Sequence, residues 1–557
     1  MQTRTILAVV LSLLVFIIFT YVGQHYGPKP APESPAPPTA APATGPSPPA
    51  APPAPVAKPL AAPPAPKGRE IVVETDLFRA VFTEQGAGLK SFQLKKFRQS
   101  LPIETISKFS LGPVSFELER FRDHGQAAAQ LKELVTAAPN QELPLSLSWE
   151  GRKGTVAPDQ PYEADTKALT LKGGETGSLT FKAVTPEGLE VTRTYTFKGQ
   201  SYVFNLKTTV ARRSPENLEG RLNLALTGTA AGSAHEAQGL AIFADKALKE
   251  FKAGGLKEPK VFTKVDWVGL NELYFLAAAV PQGAPQVQAT LTEAQPNQLA
   301  AILSLPEKVA AGQEVQAMDA FYFGPKDIST LKAANLGLDT AVHFGWFDWL
   351  ARPCLYFLNW INGFVHNYGW SLIILTILLR LLFWYPNHKS FQSMKVMQKI
   401  QPRVAEIREK YKDDREAMNK ELMNLYRTFK VNPLGGCLPM LLQLPVFLAL
   451  YNLLSNSIEL RHASFIPTLP FTNIVWLADL SAKDPLLITP IIMGATMFLQ
   501  QKMSPSPGDP AQAKMMMFLP LIFTFLFLNF ASGLVIYWLV NNVLAIAQQY
   551  FTNRYIK

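Results

Sequence analysis

Five apolar runs divide the C-terminal part of the chain: Trp370–Tyr385, Leu438–Leu454, Leu486–Gln500, Met515–Asn529 and Leu534–Tyr550. A sixth, Ile6–Val22, follows Arg4. At ~1.5 Å per residue, a helix of this length covers about 25 Å, just enough for the hydrocarbon layer of a bilayer. Six spans are therefore expected, the last two joined by little more than Phe530–Gly533 as a tight hairpin. Ile6–Val22 has a rival reading as a cleaved signal peptide. No A-x-A site follows it, the next residues being Gly23, Gln24, His25 and Tyr26, so an uncleaved anchor is preferred.

Charge sets the orientation of these runs. The chain has 557 residues, 48% hydrophobic and 17% charged, with a formal net charge of +10. Half of that excess is local: eleven Lys/Arg against six Asp/Glu lie between Asn387 and Gly435, whereas Ser457–Asp484 carries a net −1. The positive-inside rule puts the first loop in the cytoplasm. Alternation of the six spans then leaves both termini cytoplasmic and the soluble region outside, in the periplasm of a two-membrane cell. Basicity concentrated in this way reports orientation rather than nucleic-acid binding.

The domain boundaries follow. Residues 1–25 form the anchor, and 26–68, nearly all Pro and Ala, a semi-extended tether. Residues 69–330 read as β: "IVVETDLFRAVF", "LEVTRTYTFKG", "SYVFNLKTTV", "RLNLALTG" and "AMDAFYFG" are rich in β-branched and aromatic residues, often with period two. So many short strands suggest a large antiparallel sandwich. A helix is expected near Asp327–Asn335. Residues 331–369 form a linker containing Phe347–Phe364, a Trp-rich stretch read as an amphipathic interfacial helix; the alternative is a plain lead-in to the next span. Residues 370–557 form a five-span core with a cytoplasmic helical hairpin at 387–435. The expected class is thus a polytopic α-helical membrane protein with a large extracytoplasmic β-sandwich domain.

Arg380 is the outstanding residue. It stands inside Trp370–Tyr385, a run that Pro386 is expected to close. Arginine keeps its proton there, and a charge at a helix centre costs ~2.5–3.5 kcal/mol on insertion scales. One reading has the side chain reach the cytoplasmic headgroups. The other has it face a wet cavity, because Thr376, Gln443, Asn452, Thr496, Gln500, Thr524 and Asn541 spread polar groups over five spans. Pro445, Pro490 and Pro520 fit such a cavity, where water or protein satisfies the freed carbonyls. The five C-terminal runs supply no acidic partner for Arg380 and no Asp, Glu or His relay for a proton-coupled transporter. A cation so placed attracts anions: a carboxylate on a passing polypeptide, a phosphate or a small anion. A small-anion transporter or channel is therefore the standing alternative, and a sugar-binding module with the spans as mere anchor is a second.

Other features say less. Met397, Ile400, Val404, Ile407 and Tyr411, followed by Met418, Leu422, Leu425 and Phe429, are spaced for two packed helices, with Asp413 and Glu416 as a capping box. The charges on that hairpin suit either a solvated face or a docking surface. Met493, Met497, Met503 and Met515–Met517 suit either core gap-filling or an adaptable apolar surface. Cys354 and Cys437 fall on opposite sides of the membrane, so no disulfide is expected. No Walker, G-x-S-x-G or H-E-x-x-H motif and no metal-ligand spacing occurs, and the β region has only His124 and His235 as histidines. Neither a catalytic residue, a metal nor a cofactor is expected.

Long stretches resemble the YidC/Oxa/Alb family of membrane protein insertases: "NPLGGCLPMLLQLPVFLALYNLL" (Asn432–Leu454), "PIIMGATMFLQQKMSP" (Pro490–Pro505) and "FASGLVIYWLVNN" (Phe530–Asn542), preceded by the arginine at 380. "WVGLNELYFLAAAVP" (Trp267–Pro281) and "FGPKD" (Phe323–Asp327) extend the likeness into the outer domain. The resemblance implies insertion and chaperoning of nascent membrane proteins, alone or with Sec translocon components, without ATP hydrolysis. It implies a groove open to cytoplasm and lipid and closed toward the outside, in which Arg380, Thr376, Tyr537 and Trp538 match family positions; Gln443, Asn452, Gln500 and Thr524, polar residues at depth, are expected to line it as well. The family often has paired tyrosines where this chain has Tyr537 and Trp538, so one hydroxyl is missing. The final "TNRYIK" is shorter than the basic tails of some relatives, leaving ribosome contact to the cytoplasmic loops, with no nucleic acid beyond ribosomal RNA. The outer domain is expected to resemble a sugar-binding type of β-supersandwich.

Overall fold

The computed structural model describes residues 68–555 apart from 112–113, 123–129, 137–140, 152–153, 213–217, 231–238, 284–286, 296, 310–313, 430–437 and 504–509. The anchor Ile6–Val22, the Pro/Ala tether up to residue 67, His124, His235 and Cys437 lie outside the described residues.

Period-two alternation builds the β region. Along Leu189–Lys198 every second residue is buried, so Leu189, Val191, Arg193, Tyr195 and Phe197 share one face. This strand belongs to a nine-stranded sheet in which Val203–Arg212 pairs with both Leu189–Lys198 and Glu314–Pro325, all antiparallel. A six-stranded and a five-stranded sheet accompany it. Leu147, Leu222, Leu224, Leu303 and Leu305 of the six-stranded sheet enclose a cavity with Thr208, Ala317 and Asp319 of the nine-stranded one. Phe82 and Phe92 of the five-stranded sheet pack on Tyr195, Phe197, Phe204 and Phe323. The two smaller sheets thus cover one face of the largest. The expected run "IVVETDLFRAVF" is two strands, Glu70–Glu74 and Phe78–Thr83, turning at Thr75, whose hydroxyl accepts from Phe78 N. Arg193 is fully buried, and its guanidinium donates to the carbonyls of Gly86, Ala87 and Leu145, tying the sheets together.

The chain then turns helical. Helix α1 (Ile328–Ala333) is capped by Asp327, whose carboxylate accepts from Thr330 N at 2.6 Å. Helix α2 (Asp348–Val365) occupies the expected interfacial segment, and α3 (Tyr368–Leu382) begins at Asn367, whose side chain caps Gly369 N and Trp370 N. There follow α4 (Trp384–Lys410), α5 (Arg415–Thr428), α6 (Leu438–Asn456), α7 (Ile488–Met503), α8 (Pro510–Phe527) and α9 (Ser532–Tyr555). All five apolar runs are helical. Among the described residues, α9 alone is long and apolar enough over Ser532–Thr552 to cross a membrane; α3 and α4 pass together as a pair bent by 59°; Met516–Phe527 of α8 is shorter. α9 packs on α3 and α7, α7 on α8, and α2 on α3 and α6.

Two local expectations are corrected. Pro386 does not close the first run. The break falls at Phe383, and Pro386 sits in the first turn of α4, where its missing N–H leaves no bond unmade. Asp414 rather than Asp413 caps α5, accepting from Glu416 N and Ala417 N, so Glu416 is one position too early for the expected box. The hairpin core is otherwise as the spacing suggests: Ile400, Val404, Met418 and Leu422 are buried with Met397, Ile407, Tyr411 and Leu425 around them. Phe429 ends α5 instead and lies under the guanidinium of Arg403.

The β region rests on the end of α6 and the segment that follows it. Arg461 donates to Arg98 O and Gln99 O and stacks on Phe275, while Tyr274 Oη donates to Ser455 O. Asp484, four residues ahead of α7, accepts from Thr489 N and Thr489 Oγ1 in that helix's first turn at 2.7 Å each.

Candidate functional site

Helix α3 is apolar on its outer face and mixed on its inner one, where Leu372 and Leu375 are also buried. Ile377, Leu378, Leu381 and Leu382 are exposed, Leu382 at 71%, whereas Ser371 and Thr376 are buried. Arg380, four residues after Thr376, shares its face. The exposed apolar surface continues over Ile491 and Leu499 of α7 and Phe518, Leu521, Ile522 and Phe525 of α8. In water such a patch would be a liability; in lipid it is the matching solvent.

Arg380 is half-buried between α3 and α9. One Nη1 hydrogen bond reaches Asn541 Oδ1 at 3.4 Å, at the long end of the hydrogen-bond range. Its Nε is buried without a partner. Among the described residues no carboxylate pairs with it. Tyr537, one turn before Asn541 on α9, lies within electrostatic reach of the guanidinium and is almost fully buried. The Tyr537 hydroxyl accepts from Gln443 Nε2 of α6 at 2.7 Å. Asn541, Tyr537 and Gln443 therefore form an uncharged polar cluster beside the one cation, Arg380, with three helices contributing.

The remaining candidates separate. Thr376 is buried, and its hydroxyl donates to Leu372 O of its own helix. Asn452 donates to Phe344 O, joining α6 to the turn before α2 rather than to Arg380. Thr524 donates to Pro520 O within α8 and abuts Gly494 of α7, where an added Cβ would lie 2.0 Å from its oxygen. Gln500 is partly buried in α7 and already engaged. Trp538 packs edge-on against Phe447 and beside Phe523 and Phe527, a seam of α6, α8 and α9, with its Nε1 buried and unpartnered. Asn541, named from sequence only as one of seven polar residues of the cavity, is the one that reaches the guanidinium. Its signal was the four-residue step from Tyr537, which places both on one helix face. One further step of seven reaches Gln548, which donates to Trp384 O and holds α9 to the α3–α4 bend.

Two family models match the chain: one described as "60Kd inner membrane protein" over residues 360–557, the other as "YidC periplasmic domain" over 114–357. A protein of Oleidesulfovibrio alaskensis named membrane protein insertase YidC is 42% identical, covering 99% of each chain. Its namesake in Syntrophus aciditrophicus is 40% identical over 100% of each. Among solved structures, an active YidC insertase is 16% identical over 88% of this chain and 96% of its own, with a TM-score of 0.35. A galactose mutarotase-like protein of Lactobacillus casei is 12% identical over 46% and 99%, with a TM-score of 0.30. At those scores neither structural likeness bears on the site.

Proposed function

The chain belongs to the YidC family of bacterial inner-membrane insertases, and from that premise we propose that it guides nascent membrane proteins from the cytoplasm into the bilayer along a polar groove centred on Arg380. The family is not enzymatic, and the task is one of solvation. A hydrophilic segment entering lipid bare leaves each unpaired polar group costing several kcal/mol. Arg380 draws in an acidic or polar leading segment, and Asn541, Tyr537 and Gln443 supply exchangeable hydrogen bonds. The apolar segment of the same client slides along Leu378, Leu381, Phe518 and Ile522. Its transfer to lipid, at ~25 cal/mol per Å² of apolar surface, drives release.

Within this reading the chain has six spans, five of them forming the core, with both termini cytoplasmic and the β domain periplasmic. Helix α2 lies in the outer interface: its inner face packs through Ala351, Leu355 and Leu358, while Trp349, Trp360 and Phe364 face outward. The α4–α5 hairpin meets the ribosome, Sec components bind alongside, and the groove acts as a folding chaperone as well as an insertase.

The observation that carries the proposal is the half-buried guanidinium with an unpartnered Nε, beside the neutral polar groups of Asn541 and Tyr537, on helices whose outer faces are apolar and exposed. A photo-crosslinker at Gln443 tests it. A stalled nascent single-span protein crosslinks there and not at Met318 of the β domain; crosslinking at Met318 alone would overturn the groove.

A further inference from the structure

The β region carries one hairpin that, among the described residues, belongs to none of the three large sheets. Ile103–Leu111 and Val114–Phe121 pair only with each other, as an antiparallel two-stranded hairpin. Its register sets Phe109 opposite Phe116 and Ser107 opposite Leu118, one face, and Lys108 opposite Glu117, the other. The second face is closed by a Lys108–Glu117 ion pair at 2.7 Å. On the first, the rings of Phe109 and Phe116 stack at 5.0 Å yet stay 48% and 37% exposed. Ile106, at the bulge, is 54% exposed. A two-stranded hairpin is marginal in water unless something covers its apolar face.

Its position identifies the cover. Glu117 N donates to Pro485 O, three residues before α7 begins, and Arg120 bridges to Ile474. The hairpin is thus tied to the outer end of a membrane helix. Phe471, three residues from Ile474, is fully exposed beside it. Lys483, in the segment just before α7, sits close enough to Glu117 and Glu119 for their charges to interact, a second tie between hairpin and helix end.

We propose that this hairpin is a lipid-binding wedge: its Phe109/Phe116 face lies in the headgroup zone of the outer leaflet and fixes the height of the β domain above the bilayer. Aromatic rings favour that depth. The inference rests on the membrane placement of α3–α9 proposed above.

Full-length protein carrying Cys354→Ser and Cys437→Ser, with one new cysteine bearing an environment-sensitive fluorophore, tests it in phosphatidylcholine/phosphatidylglycerol vesicles containing headgroup-proximal doxyl lipids. Expected are a blue shift and doxyl quenching at Phe116→Cys, and aqueous iodide quenching at Ser110→Cys. Ile106→Cys gives the same readout should Phe116→Cys fail to fold. Leu382→Cys on α3 reports the membrane placement separately. Lipid quenching at Leu382→Cys with iodide quenching at both Phe116→Cys and Ile106→Cys overturns the wedge alone. Shielding of the hairpin probes from both quenchers also overturns it, because a protein then covers the face. Loss of lipid quenching at Leu382→Cys as well overturns both readings.

Discussion

Replacing Arg380 with methionine separates a structural cation from a functional one. In the folded protein the guanidinium makes one long hydrogen bond, to Asn541, and its Nε has no partner. Losing such a bond costs ~0.5–1.5 kcal/mol. Removing a charge from mid-membrane regains ~2.5–3.5 kcal/mol on insertion scales. Arg380→Met is therefore expected to exceed the parent in stability by about 1–3 kcal/mol. Function moves the other way. A guanidinium–carboxylate pair at ~4 Å is worth up to ~4 kcal/mol at an effective dielectric of ~20, and every ~1.4 kcal/mol is tenfold. Insertion of a single-span client with an acidic leading segment should fall at least about tenfold, and a client with a neutral leading segment should lose less. Arg380→Lys keeps the charge but not the fork and should be milder; Arg380→Glu should be the most severe for acidic clients. Unfolding in detergent and insertion into proteoliposomes, measured on the same preparation, provide both readings. A Met variant destabilised by more than ~2 kcal/mol, or one that inserts acidic clients normally, refutes the reasoning.

Other consequences follow from single contacts. Burial between the sheets pushes the Asp319 carboxyl up to about 7, with Arg193 pulling it down. The folded domain then holds a proton that the unfolded chain gives up near its ordinary value of 3.8, so this contribution to stability is full below about pH 4 and is lost as pH rises through 7; Asp319→Asn should flatten that slope in urea midpoints taken from pH 5 to 8. Lys132 and Glu272 form an ion pair at 2.9 Å with both side chains nearly buried, so Glu272→Ala should cost ~3–5 kcal/mol, read as lost hydrogen-exchange protection in the extracytoplasmic strands. Gly494→Ala presses a Cβ onto Thr524 Oγ1 and should cost ~1–3 kcal/mol, most of it restored by adding Thr524→Ala; equal costs with and without that second change would show that the two helices do not meet there.

Periodicity made the larger elements legible. Alternation in Leu189–Lys198 and the five apolar runs are each satisfied by one kind of element, so pattern and structure agree. The α4–α5 hairpin was readable for the same reason, since its stripe residues meet in one small core. What failed was local: adjacent aspartates at 413 and 414 both satisfy a cap rule, and only backbone geometry selects the second. Pro386 was read as a terminator although a proline is equally at home in a first turn. The site was half legible. Arg380, Gln443 and Tyr537 converge, but polarity alone could not say that Asn452 and Thr524 would use their side chains on backbone carbonyls, the first at the α2 junction and the second within its own helix. Asn541 was read as one cavity residue among seven, and its pairing with Arg380 was not, because a side chain's partner depends on helix rotation, which composition does not carry.

The central claim is that Arg380 faces a hollow that water enters from the cytoplasm. Its most direct test is labelling of Asn541→Cys, in full-length protein carrying Cys354→Ser and Cys437→Ser, by a membrane-impermeant maleimide applied to either side of oriented vesicles. Modification from the cytoplasmic side alone is predicted. Protection from both sides, or reaction only from the outside, would contradict the account.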